Sequence, residues 1–135
     1  AFRQKLISEE LQEIEHAIQC YAIDTVEVIG HTDSMPNSGS SNLDRFSTST
    51  KIAQNFPKVE AGSNADLGLL RALSVQKLLE ENIGQEYPDL VFRSYSAGSL
   101  IDPPQASNRA SLPQEKRRIE TRLTRNKEQS SLNKC

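Results

Sequence analysis

The chain has 135 residues, of which 36% are hydrophobic, and a formal net charge of −2. This length corresponds to one domain, which buries enough apolar surface to fold without support from a metal or a disulfide. The slightly acidic charge argues against a protein that binds nucleic acid through bulk electrostatics, and no apolar run approaches the ~20 residues of a membrane-spanning helix.

The amino-terminal part contains one predicted helix and one predicted strand. Residues 4–20 are predicted to form an amphipathic helix, because isoleucine and leucine recur at spacings of four, three and four. Residues 24–30, DTVEVIG, are predicted to form a strand, because Val26 and Val28 alternate with polar residues. Ile29 interrupts the alternation, which indicates a strand that is covered on both faces near its end.

A long polar segment separates this strand from the second predicted helix. Residues 34–62, here called the insertion, are rich in Ser, Asn, Gly and Pro, and within them a helical turn is predicted at 49–56. A loop of this length is usually functional or mobile, and its low apolar content predicts mobility. The second helix is predicted over 64–82, with Ser63 as its N-cap and Gly84 at its end.

Two strands are predicted in the carboxy-terminal part, at 89–95 and 117–124. The second of them alternates apolar and charged residues, which is typical of a half-exposed strand at a sheet edge. A polar loop at 97–116 and a polar tail at 125–135 account for the remaining residues of this part. The order of elements predicts an α+β domain, a two-layer sandwich of a mixed sheet with helices on one face.

The second helix carries an arginine among its apolar residues. On a helical wheel with Leu67 at zero, Leu78 falls at about 20° and Val75 at about 80°, which predicts a buried face. Arg71 falls at about 40°, in the middle of that face, and Asn64 falls at about 60°. A buried arginine needs a partner, because removing the partner of a buried charge costs about 3–5 kcal/mol.

Asp33 is the candidate counterpart of Arg71. It follows His31 and Thr32 where the first strand ends, and ligands favour that end of sheets with crossover helices. One interpretation is structural: Arg71 pairs with an internal acid and fastens the helix to the sheet. The other is a small cleft that binds a zwitterionic amino-acid centre. In that cleft Asp33 takes the ammonium group, and Arg71 holds the carboxylate with two parallel hydrogen bonds.

Catalytic and metal-binding functions find little support in the sequence. A metal site needs three or four ligands, and the only histidine besides His31 is His16, on the first predicted helix. No nucleophile-elbow motif is present, and Cys20 and Cys135 have neither metal-ligand spacing nor a catalytic context. We therefore predict a chain that is not an enzyme and that uses neither a cofactor nor a metal.

Three stretches of the chain resemble the peptidoglycan-binding domain of the OmpA family, which includes OmpA carboxy-terminal domains, the Pal lipoprotein and the MotB stator protein. They are VEVIGHTD, NADLGLLRALSVQKLL and RRIETRL, in that order. The family signature is G-H-T-D at a strand end, N-x-x-L-[SG]-x-x-R-A-x-x-V on a helix, and paired arginines that open a late strand. The resemblance implies a βαβαββ domain over residues 1–124, followed by the tail at 125–135.

The resemblance also implies a ligand and the residues that bind it. In the family, the aspartate and the arginine of these motifs clamp the free end of meso-diaminopimelate in the peptidoglycan stem peptide. Those two positions are Asp33 and Arg71 here. The positions that line the same pocket are matched by Thr32, Asn64, Leu67 and, more loosely, Arg118.

The chain departs from the family pattern in three places. Only Ala1, Phe2 and Arg3 precede the first predicted helix, so the strand with which the family usually opens is missing or incomplete. The family links its aspartate to its asparagine by a short loop, whereas the insertion lies between them here. Lys116 stands where an asparagine commonly precedes the arginine pair.

The resemblance leaves three functions open. The first is a wall anchor of an outer-membrane protein or lipoprotein, and the second is the wall anchor of an inner-membrane, ion-driven stator. The stretches SNLDRF and NADLGLLRALSV resemble stator-type members, notably the ZorB subunit of the Zorya anti-phage system. The third is a protein-interaction domain that kept the fold and lost the wall ligand.

Both anchoring functions imply the periplasm of a Gram-negative-type bacterium. The implied partners are peptidoglycan and a membrane anchor or ion-channel subunit, with no nucleic acid, and a homodimer is left open.

Overall fold

The computed structural model describes residues 2–37, 39–46, 49–101 and 117–127. These residues form two long helices, three strands and one short helix. They are α1 (Phe2–Tyr21), β1 (Thr25–His31), α2 (Ser49–Gln54), α3 (Asn64–Ile83), β2 (Val91–Gly98) and β3 (Ile119–Thr124). None of the described helices is long and apolar enough to cross a membrane.

The three strands form one mixed sheet in the order β2-β1-β3. β1 pairs with β2 in parallel and with β3 in antiparallel orientation. The predicted α+β fold is therefore confirmed, with the first predicted strand in the interior of the sheet and the last one at an edge.

One face of the sheet carries both long helices. Val26 and Val28 are completely buried and share a cluster with Ile14 of α1 and with residues of α3. Because Val26 and Val28 lie on the same side of β1, α1 and α3 must cover the same face. The residues that α3 adds to this cluster are Ala72, Leu79 and Ile83.

The N-cap predicted for α3 is also present. The Ser63 side chain accepts a hydrogen bond from the Asp66 amide, at 3.2 Å. This bond satisfies one of the amide groups that a helix start leaves without an intrahelical partner.

The buried side of α3 differs from the side predicted on the helical wheel. Leu78 is 37% exposed and Arg71 is only partly buried, so the placement of Arg71 in the middle of the buried face is wrong. Arg71 lies at the border of that face. The residues that α3 does bury are Gly68, Ala72, Leu73, Gln76, Leu79 and Ile83.

Two residues that are not hydrophobic cause this difference. Gly68 has no side chain, so the helix backbone itself contacts the sheet. Gln76 is buried because its amide is satisfied: its Oε1 accepts from Ser94 Oγ at 2.6 Å, and its Nε2 donates to Glu80 Oε1 at 2.7 Å. A prediction that counts only apolar residues misses both positions.

β2 extends three residues beyond its predicted end. Parallel pairing with β1 continues through Gly30 opposite Ser96 and, after a register shift, His31 opposite Gly98. The small residues of this stretch carry no strand pattern, so pairing with β1 determines its conformation.

The region after β3 is tied back to the start of β1. The Asp24 carboxylate, 7% exposed, accepts hydrogen bonds from the amides of Asn126 and Lys127. Residues 128–135 of the predicted tail and residues 102–116 of the predicted polar loop lie outside the described residues.

Candidate functional site

Two of the three stretches that carry the sequence motifs meet at one end of the sheet, beside the end of β2. Parallel pairing places the carboxyl ends of β1 and β2 side by side, and the antiparallel β3 begins at the same end. The Thr32 amide donates to the Gly98 carbonyl at 2.7 Å, and the His31 amide donates to the Arg118 carbonyl at 2.9 Å. The G-H-T-D stretch therefore lies between the end of β2 and the paired arginines.

Asp33 is held by two donors from its own chain. Its Oδ1 accepts a hydrogen bond from the Met35 amide at 3.0 Å, which closes a tight turn. Its Oδ2 lies 3.3 Å from Nη1 of Arg117, and the Asp33 side chain is 17% exposed. The carboxylate is thus oriented by a backbone donor and neutralised by a side chain.

Asn64 connects this turn to the start of α3. Its Nδ2 donates to the Asp33 carbonyl at 3.3 Å and to the Met35 carbonyl at 3.0 Å. Thr32, which is 2% exposed, adds a hydroxyl donor to the same Asp33 carbonyl at 3.2 Å. Asn64 and Thr32 therefore position the backbone around Asp33. Their side-chain donors are already bonded to backbone carbonyls.

Arg71 lies seven residues beyond Asn64, which places the two on the same side of α3. It is partly buried, as is Leu67 one turn earlier. Among the residues that the structure describes, the Arg71 guanidinium makes no hydrogen bond and no ion pair, and Asp33 is not within ion-pair distance of it. The structure thus brings Thr32, Asp33 and Asn64 into contact and leaves Arg71 unpaired at the border of the helix–sheet interface.

The paired arginines have different surroundings. Nη1 of Arg118 donates to the Ile101 carbonyl at 3.4 Å, and Arg118 forms neither a hydrogen bond nor an ion pair with Asp33. Arg117, which sequence reasoning did not select as a site residue, is the one that reaches Asp33. The two are 84 positions apart, so only the registers of β1 and β3 reveal the pairing.

His31 is buried behind this site. It is 1% exposed, its Nε2 lies 3.2 Å from Glu120 Oε1, and its Nδ1 has no hydrogen-bond partner among the described residues. Burial lowers the pKa of His31, the Arg118 guanidinium lowers it further, and Glu120 opposes this effect. A neutral imidazole that donates its Nε2 proton to Glu120 fits these contacts.

Glu120 remains ionised because of a second partner. Its Oε2 accepts a hydrogen bond from Arg122 Nε at 2.8 Å, and this bond is the main reason that the pKa of Glu120 is lowered. Glu120 thus contacts both His31 and Arg122. The contact with His31 links the side chains of β1 and β3.

No metal centre is formed by the described part of the chain. Nowhere among the described residues do three His, Cys, Asp or Glu side chains lie close enough together to hold a metal ion. Cys20 is buried in α1, and Cys135 lies outside the described residues.

The insertion is fastened at its base by asparagine side chains. Asn37 Nδ2 donates to the Ala61 carbonyl at 3.1 Å. Asn42 Nδ2 donates to the Lys58 carbonyl, and Asn42 Oδ1 accepts from the Glu60 amide, both at 2.7 Å. The two ends of the insertion are therefore held together directly beside the turn at Asp33.

The insertion also contains regular structure. The predicted helical turn is present as α2, and Ile52 in this helix is 7% exposed. Two short 3₁₀ turns flank it, at Leu43–Arg45 and Phe56–Lys58. α2 packs against α3, so the insertion lies against the helix that carries Arg71.

No protein-family model, curated protein or solved structure matches the chain. The resemblance to the OmpA family therefore rests on the motifs in the sequence and remains a prediction.

Proposed function

We propose that this chain is a non-catalytic module that binds peptidoglycan and anchors an envelope protein to the cell wall. In this proposal, Asp33 binds the ammonium group and Arg71 the carboxylate of a meso-diaminopimelate centre in the stem peptide. The carrying observation is the unpaired Arg71 guanidinium, which is partly buried and has no counter-ion among the described residues. Partial burial removes water from a charge, and a bound carboxylate compensates for that loss with two parallel hydrogen bonds.

The surroundings of Asp33 support the ammonium half of the clamp. The Met35 amide and the Asn64 side chain fix the turn that carries the carboxylate. A site that is held in place before binding loses little conformational entropy when a ligand arrives, which favours binding. This support is independent of the Arg71 guanidinium, because none of these hydrogen bonds involves Arg71.

Anchoring needs no chemical step, which agrees with the proposed absence of an enzyme active site. It needs a modest site that is repeated along a polymer and is tethered to a membrane, so that several weak contacts act together. The proposed location is therefore the periplasm, with a membrane anchor or an ion-channel subunit as the partner. A stator subunit of the MotB or ZorB type is the narrower form of the same proposal.

The test is a pull-down of the 135-residue chain on purified diaminopimelate-type peptidoglycan. Asp33→Ala and Arg71→Ala should each abolish capture, because losing one side of a charge pair removes about 2–5 kcal/mol from a modest site. Arg93→Ala is the matched control: it removes the same charge from an exposed position on β2, which faces away from α3. Capture of folded Arg71→Ala at the wild-type level would contradict the proposal.

A second candidate function is a protein-interaction domain. It is favoured by three exposed apolar side chains that follow the carboxyl ends of β1 and β2, namely Met35, Leu100 and Ile101, at 75%, 90% and 54% exposure. Replacing all three with serine distinguishes the candidates. Peptidoglycan capture that survives the replacement supports the wall-binding function, and a wild-type chain that is not captured favours the interaction domain.

A further inference from the structure

We infer that Arg117 occupies the ammonium site of Asp33 until a ligand displaces it, so that Arg117 limits the affinity of the pocket. This inference rests on the proposed function and adds the residue that competes with the ligand. Nη1 of Arg117 lies 3.3 Å from Oδ2 of Asp33, which is where an ammonium group would bind.

The two oxygens of Asp33 differ in how readily their partners can leave. Oδ1 accepts a hydrogen bond from the Met35 amide, a backbone donor two residues away that is fixed by the turn itself. Oδ2 is paired with a long side chain from the segment just before β3. Exchange with an incoming cation therefore occurs at Oδ2, whereas Oδ1 keeps the carboxylate in place.

The exposure of the two partners favours exchange. The Arg117 side chain is 48% exposed, and the Asp33 side chain is 17% exposed. Arg117 can turn into water and regain hydration, since it already contacts solvent, and a half-exposed ion pair holds it only weakly. Asp33 cannot move away in the same manner, because its turn is tied to α3 through Asn64.

Charge repulsion between Arg117 and the ligand ammonium group should lower the affinity of the pocket. An ammonium group at Oδ2 would lie within a few ångströms of the Arg117 guanidinium, and two like charges at that separation repel each other. Binding of the ammonium group thus includes the loss of the Arg117 ion pair. The opposite role, in which Arg117 grips the ligand carboxylate beside Arg71, predicts an effect of opposite sign.

The test measures the Kd of meso-diaminopimelate for the 135-residue chain by NMR titration, at one fixed ionic strength. Arg117→Gln should bind about two- to fivefold more tightly than wild type, which is the range that a weak exposed ion pair corresponds to. The control is Arg122→Gln on β3, which removes an equal charge from an arginine that pairs with Glu120 and is 64% exposed.

Tighter binding by Arg117→Gln, with the Kd of Arg122→Gln unchanged from wild type, supports the inference. Equal or weaker binding by Arg117→Gln overturns it, and so does an equal gain in Arg122→Gln, which would be a general charge effect.

A second probe separates this inference from the proposed function. Ethylammonium carries the cation without the carboxylate, and the ¹³C signal of the Asp33 carboxyl group reports its arrival. If no variant binds diaminopimelate, the proposed function fails. In that case a stronger ethylammonium response in Arg117→Gln than in wild type still supports the role of Arg117, and equal responses overturn it.

Discussion

The backbone of Gly68 in α3 lies directly against the backbone of Gly30 in β1. A Cβ atom on Gly30 would overlap the Gly68 carbonyl group, and a Cβ atom on Gly68 would lie 2.8 Å from the Gly30 carbonyl oxygen. This contact brings the helix that carries Arg71 close to the strand that leads to Asp33. The distance between the two halves of the proposed clamp therefore depends on two glycines.

Gly68→Ala should destabilise the fold by about 1–3 kcal/mol, because the added methyl group forces α3 away from the sheet. Alanine improves helix propensity by about 1 kcal/mol, but it does so at a position with no space for a side chain. Urea unfolding measures the change. Ser74→Ala, at an exposed position of the same helix, is the control and should stay within about 0.5 kcal/mol of wild type. A Gly68→Ala variant more stable than wild type would show that the contact is not tight.

Arg71→Lys should be a poor replacement in the proposed clamp. Lysine keeps the charge but lacks the planar fork that grips a carboxylate with two parallel hydrogen bonds. We expect peptidoglycan capture to fall to the level of Arg71→Ala, whereas Arg93→Lys should be captured like the wild type. Full capture of a folded Arg71→Lys chain would contradict this prediction, because it would show that position 71 needs only a positive charge to bind peptidoglycan.

Lysine-type peptidoglycan should bind worse than the diaminopimelate type. The lysine side chain ends in an ammonium group without the adjacent carboxylate that Arg71 is proposed to bind. A competition pull-down with both wall types measures the preference. Equal capture by the two types of peptidoglycan would contradict the proposed clamp of Asp33 and Arg71.

The insertion should exchange its amide hydrogens faster than β1. Its composition offers little apolar area to offset the entropy of ordering, and its ends are held mainly by exposed asparagine contacts. Asn42→Ala should accelerate amide exchange at the base of the insertion and leave the exchange rates of β1 unchanged. The reason is that, within the described part of the chain, the Asn42 side chain bonds only the backbone of Lys58 and Glu60. Exchange in 34–62 as slow as in β1 would indicate an ordered lid beside Asp33.

The stability of the fold should decrease through His31 as the pH falls from about 7 into the acidic range. The pKa of His31 in the folded state is lowered by burial, so the unfolded chain binds its proton more readily. This stabilising effect is complete above the unfolded pKa of about 6.5, and it is lost as the pH falls through the lowered folded pKa.

Urea unfolding across that pH range measures the effect, with a slope of at most about 1.4 kcal/mol per pH unit for one proton. His31→Gln should remove the decline while keeping a side-chain donor toward Glu120. His16→Gln is the matched control, since it removes the other histidine of the chain and should keep the decline. A decline that persists in His31→Gln would assign it to other groups.

Local patterns in the sequence were sufficient for the main elements of the fold. The recurrence of isoleucine and leucine predicted α1, and the alternation around Val26 and Val28 predicted β1. Ser63 was identified as the N-cap of α3 because it stands three residues before Asp66. These patterns succeed because helix and strand periodicity depends on residues only a few positions apart.

The sequence also selected residues of a turn at the candidate site that the structure brings together. The residues at the end of β1 and the first residue of α3 do meet, through the bonds from Asn64 to the Asp33 and Met35 carbonyls. The helical wheel predicted the wrong buried side for the rest of α3. The reason is that Gly68 and Gln76, whose amide oxygen and nitrogen are both hydrogen-bonded, lie on the side that is buried.

What only the tertiary structure decided is which side chain neutralises Asp33. Sequence reasoning set Asp33 opposite Arg71, yet Oδ2 is paired with Arg117, and Arg71 has no partner among the described residues. The physical reason is that an ion pair depends on separation in space. Here that separation is set by the registers of β1 and β3 and by the close contact of α3 with β1, which no local pattern of residues encodes.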